Sequence, residues 1–105
     1  MSNMRAGVVD QALLAEAIAE AAKRLDPRDV SDVRFRLGED HDGDPSIFFG
    51  ILLSPRASGS SRIGKATGRI STALFEQLQP YNRWGLLPYF SYTADRDFFL
   101  SSGWM

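Results

Sequence analysis

Seven consecutive residues, Ile47-Phe48-Phe49-Gly50-Ile51-Leu52-Leu53, carry no polar side chain, with Asp44-Pro45-Ser46 before them and Ser54-Pro55 after. A run this short reads as a strand, and one that is apolar on both faces belongs inside a sheet or beneath two covering layers. It falls well short of the roughly 20 residues that a membrane helix needs. The rest of the chain must therefore supply strands beside this segment and side chains to cover it.

A partner strand lies just upstream. Val33, Phe35 and Leu37 alternate with Asp32, Arg34 and Arg36, the period of a strand with one face on a core and one in water. Between them, Gly38 to Pro45 is a turn by composition, so the two strands are expected as an antiparallel pair joined by an acidic loop. A helix is expected from Asp10 to Leu25, with Asp10 as N-cap and Leu14, Ile18, Ala21 and Leu25 as one apolar stripe. Asp26-Pro27 ends it, because the residue before a proline is pushed out of helical geometry.

A second helix is expected from Arg62 to Gln79, with Ser60 or Ser61 as cap and Ile63, Thr67, Ile70, Leu74 and Leu78 as its stripe. Leu86 to Thr93 reads as a third strand. Pro88 cannot donate to a ladder and belongs at that strand's beginning or on an edge. Asp95 to Met105 is a short aromatic tail in which Asp95 to Leu100 forms one helical turn. The fold class is α+β: a two-layer sandwich in the order α-β-β-α-β, a three-stranded sheet with two amphipathic helices on one face. Residues 1–105 are expected to form a single domain.

Of the 105 residues, 44% are hydrophobic and 24% charged, which excludes global disorder. The chain has no cysteine, hence no disulfide, thiol nucleophile or thiolate metal site. No charged segment leads into an apolar stretch at the N-terminus, so no secretion signal is read and a cytoplasmic location without membrane contact is expected. The net charge of −1 names no partner, but it is unevenly spread. Residues 1–45 hold ten acids and six bases (−4), residues 46–105 three acids and six bases (+3).

Asp40, Asp42 and Asp44 stand at alternate positions, as at the opening of an oxygen-rich calcium loop. Pro45 and Ile51 occupy the places where that motif wants glycine and glutamate, so the segment reads as a solvated hairpin connection, with no metal expected. His41 is the one histidine and lies in this same loop, where a catalytic base would lack a held orientation. No cofactor motif is present and an enzyme is the least favoured class.

Ser54 to Phe75 holds Arg56, Arg62, Lys65 and Arg69 and no acid. Ser58-Gly59-Ser60-Ser61 leads into a helix N-terminus, where free amides and the helix dipole favour anions. Gly59 and Gly64 precede Lys65, yet Ala66 replaces the hydroxyl residue that holds Mg²⁺ in a nucleotide-binding phosphate loop. A phosphate or a nucleic-acid backbone is the anion such a segment would take.

In element order the chain resembles type II KH domains, with their two middle helices counted as one. Ala66-Thr67-Gly68 looks like the Ala-x-Gly kink of the ribosome-binding factor A group, and Leu87-Pro88-Tyr89-Phe90 like its final strand. The resemblance implies that the Arg62–Arg69 region faces RNA. Gly64-x-x-x-Gly68 is one residue longer than the usual Gly-x-x-Gly, and Ser54 to Ser61 leaves no room for a further helix.

Nine of the twelve aromatic residues lie between Phe75 and Trp104. Trp84, placed in a loop, and Phe98, Phe99 and Trp104, in the tail, lie where a small core has least use for them. They are therefore expected to bind a partner protein or a second copy. The reading favoured by the residues is a non-catalytic protein-interaction module of this kind, in the manner of an accessory or antitoxin-like subunit. The alternative is a KH-like RNA binder using Arg56, Arg62, Lys65 and Arg69.

Overall fold

The computed structural model describes residues 9–59 and 61–104, so Ser60 as a cap, and Met105 in the tail, lie outside the described residues. Helix α1 runs Gln11–Lys23, and the Asp10 carboxylate caps it by accepting from the Leu13 amide at 3.1 Å. Strands β1 (Val30–Glu39) and β2 (Pro45–Leu53) form the hairpin, α2 spans Ile63–Leu78, α3 Pro80–Trp84, β3 Leu87–Thr93 and α4 Arg96–Leu100. The sheet order is β1-β2-β3, so the all-apolar segment is the central strand, antiparallel to β1 and parallel to β3. The expected α+β class and element order are both present, and Pro88 sits near the start of an edge strand.

Alternation along β2 divides two apolar faces. Ile47, Phe49, Ile51 and Leu53 join Phe35 of β1 in one cluster with Leu14, Ile18 and Ala21 of α1 and Ala66, Ile70, Leu74 and Leu78 of α2. Phe90 and Tyr92 of β3 pack against it, Phe90 stacked on Phe49 with ring centroids 5.2 Å apart. Both helices thus cover the same sheet face. The α2 stripe differs at its start, since Ile63, the first helical residue, is 41% exposed and Ala66 takes the buried position a turn later.

Helix α3 was not expected. Gln79 adopts a left-handed φ of 47°, which ends α2, and Pro80 then occupies the first turn of a new helix that Gly85 closes at φ 70°. A proline that reads as a stop is here also a start, because its fixed φ suits the first helical position. Trp84 consequently lies on a helix and packs against the core, which corrects its placement in a loop.

The other face of β2 carries Ser46, Phe48, Gly50 and Leu52, and the C-terminal segment folds back over it. Phe99 of α4 is 1% exposed, and its ring lies 6.2 Å from that of Trp104. Gly50 makes room for Trp104: a Cβ added there would fall within the indole. The guanidinium of Arg34 lies 5.8 Å from the Phe99 ring centre, and that of Arg36 lies 5.4 Å from Trp104 and 5.1 Å from Phe48. Among the described residues no helix is long and apolar enough to cross a membrane.

Candidate functional site

The turn after α1 and the loop after β2 are laced together by Ser54. Its amide donates to the Asp29 carbonyl at 2.9 Å, its hydroxyl to the Arg28 carbonyl, and its Oγ accepts from the Ala57 amide at 3.1 Å. This brings Arg56 beside the Asp26–Asp29 turn. One turn of α2 lies alongside, since the Arg62 and Ile63 amides both donate to the Gly59 carbonyl, at 2.9 and 3.1 Å. Asp26, Arg28, Asp29, Arg56, Arg62, Lys65 and Arg69 together line an open cleft of about 360 Å³. The four cations singled out from sequence, Arg56, Arg62, Lys65 and Arg69, are therefore brought to one place.

Their roles differ. Arg69 forks onto Asp29, with Nη2 3.0 and 3.1 Å from the two carboxylate oxygens, and the Asp29 side chain is only 12% exposed. Arg28 pairs with Asp26 at 3.0 Å, and the hydrogen bond from Arg28 holds the Asp26 carboxyl below the usual carboxylate range. Both carboxylates of the cleft are thereby engaged. Arg56, Arg62 and Lys65 are exposed and, among the described residues, none has a carboxylate within ion-pair distance. The N-cap position of α2 belongs to Arg62, which makes no side-chain capping bond. Three cations without an ion-pair partner beside a helix N-terminus are an arrangement whose electrostatics favour a multiply charged anion. None of the described lining residues is aromatic, so the cleft offers no ring for a base to stack on.

Asp26, Arg28 and Asp29 were missed by sequence reasoning. Asp29 lies 40 residues from Arg69, and no local spacing announces the pair. Where the ribosome-binding factor A resemblance implies a kink, α2 runs through Ala66-Thr67-Gly68 without a break.

The four aromatic residues named as a partner surface are not brought together. Trp84 packs on the helix-covered core, whereas Phe99 and Trp104 lie on the opposite sheet face. Phe99 is corrected from an interface residue to a buried one, because the second apolar face of β2 needs a cover that the tail supplies. Phe98, at 63% exposed, is the member of the set that faces solvent. The indole Nε1 atoms of Trp84 and Trp104 are both buried and have no hydrogen-bond partner among the described residues.

In the acidic loop the carboxylates of Asp40, Asp42 and Asp44 offer oxygens within 4.8 Å of one another. Asp40 organises that turn: its Oδ1 accepts from the amides of Asp42 and Asp44, both at 3.0 Å, and its Oδ2 from the Tyr89 hydroxyl at 2.7 Å. His41 stands in solvent beside it.

No protein-family model matches the chain, and no solved structure matches it. Over 83 residues it is 32% identical to the heat-inducible transcription repressor HrcA of Mycolicibacterium smegmatis (strain ATCC 700084 / mc(2)155). The similarity covers 76% of this chain and 24% of that protein, so the chain spans about a quarter of that relative's length.

Proposed function

We propose that this chain is a non-catalytic binding module that holds the phosphate backbone of a nucleic acid in the cleft between the α1–β1 turn and the start of α2. The convergence of Arg56, Arg62 and Lys65, left over once Asp26 and Asp29 are engaged, carries the reading. The likeness to a segment of a transcription repressor supports a nucleic-acid partner, and a cytoplasmic setting fits it. Asp29 positions Arg69 as the rear wall, and the three remaining cations neutralise successive phosphates. The described lining has no aromatic ring to stack on a base and no side-chain amide to pair with adenine.

Fluorescence anisotropy with labelled single- and double-stranded oligonucleotides tests this. With three phosphates neutralised, log K should fall with log salt with a slope of about −2 for single strands and about −3 for duplex. Arg56→Ala/Arg62→Ala/Lys65→Ala should reduce affinity at least tenfold and flatten that slope. Unchanged binding by the triple variant would remove the cleft from consideration. The other reading, capture of a partner protein through the C-terminal third, retains Phe98 and its exposed neighbour Leu100 as contact residues.

A further inference from the structure

One face of α2 packs on the sheet; the opposite face has no cover among the described residues. Gly64, Lys65, Gly68, Thr72 and Glu76 lie along it, all exposed, with Phe75 on its flank at 46% exposed. Gly68 sits inside a regular helix, where it costs about 1 kcal/mol relative to alanine, and Gly64 lies in that helix's first turn. Among the described residues nothing lies within 4 Å of a Cβ built at either position, so no contact among them requires the side chain to be missing. What glycine leaves there is a shallow place where another backbone can approach.

The charges flanking this place indicate the occupant. Lys65 stands on one side and Glu76 on the other, three helical turns away. In a second α2 laid antiparallel about a two-fold axis passing between Ile70 and Ser71, Lys65 meets the other copy's Glu76 and Glu76 meets its Lys65. Gly68 then faces Ala73 and Arg69 faces Thr72. A parallel pair would instead oppose lysine to lysine and glutamate to glutamate.

We infer that α2 is a self-association surface, pairing antiparallel with α2 of a second copy through Gly68 and closed at both ends by Lys65–Glu76 ion pairs. Gly68, Thr72 and Ala73 beside the crossing let the axes approach within the usual range of about 8–10 Å, with Arg69 drawn aside onto Asp29. One pair of 16-residue helices makes a small interface, so the dimer is weak and depends on concentration. Lys65 and Arg69 line the cleft as well as this surface, whereas Gly68 and Glu76 belong to this surface alone, so a variant at Gly68 separates self-association from anion binding.

Light scattering after size exclusion, with nucleic acid removed and protein loaded from roughly 10 μM to 1 mM, reads the mass over the range that a small interface requires. The mass should climb from 11.7 kDa toward twice that value as concentration rises. Lys65→Glu and Glu76→Lys should each hold it at the monomer, and the double variant, which exchanges the charges, should restore the climb. Gly68→Gln should abolish association while melting no lower than the parent. A parent that stays monomeric overturns the inference. So does association that survives either single variant, which would place the contact elsewhere, with Phe98 the first residue to test. A double variant no better than the singles, or association seen only when nucleic acid is present, overturns it as well.

Discussion

The single hydrogen atom at Gly50 decides whether the C-terminal segment can lie down. β2 passes beneath the Trp104 indole so closely that the smallest side chain would occupy the ring's own volume. Gly50→Ala should therefore cost about 1–3 kcal/mol, as overpacking does, and should release the tail instead of unfolding the helix-covered core. In a Trp84→Phe background the Trp104 emission would shift to the red before any loss of helical circular dichroism. Asp29 is a second residue with two effects. Asp29→Asn removes the anchor of Arg69 at a cost of about 1 kcal/mol, and also removes a negative charge from the cleft. Oligonucleotide affinity should rise while the melting temperature falls, opposite directions that anisotropy and thermal unfolding would read together. A third is the pair Asp40–Tyr89. The Tyr89 hydrogen bond holds the Asp40 carboxyl below its usual range, and the same bond pushes the Tyr89 phenol up. A depressed carboxylate contributes stability above its unfolded pKa and loses it in acid. A raised phenol contributes below its unfolded pKa and loses it in alkali. The bond is thus in force between about pH 4 and pH 10. Tyr89→Phe should lower the melting temperature inside that window, with the difference from the parent closing on either side of it. At this scale sequence revealed the free cations, because four bases without an acid form a visible run. It hid Asp29 and Gly50, whose importance depends on residues far along the chain.

Among elements, α2 carries the most. Its outward glycines are tolerated because the inward side chains Ile70, Leu74 and Leu78 bury fully against the sheet. Gly64→Ala, in the first turn of α2, has open space to enter among the described residues and should raise stability by less than the roughly 1 kcal/mol of a helix interior, hence the melting temperature by under about 4 °C. Most elements were legible. Alternation and apolar spacing are local signals, and they placed α1, the hairpin, α2 and β3 with ends displaced by a few residues at most. Helix α3 was not legible, because one turn offers no period, and Pro80 reads as a stop unless Gln79 is known to take a left-handed conformation. The fate of the tail was hidden for another reason. Helical pattern could be seen in Asp95 to Leu100, but nothing local says which surface Phe99 will find.

For the molecule as a whole, the charge asymmetry of the sequence is redistributed by the fold. The cleft draws Asp26 and Asp29 from the acidic half and Arg56, Arg62, Lys65 and Arg69 from the basic half, which leaves an excess of positive charge on a chain of net charge −1. Bulk electrophoretic behaviour would therefore mislead, and binding measured against salt is the informative quantity. The sheet topology also has a bearing on time. The β1–β2 hairpin is closed by a short turn, whereas β3 joins β2 in parallel only after α2 and α3 have crossed over. Loop-closure entropy makes the parallel pairing the slow step. Every residue of the cleft precedes β3 in the chain. A chain emerging from the ribosome therefore exposes every residue of the cleft before β3 can reach the central strand and give it a second neighbour.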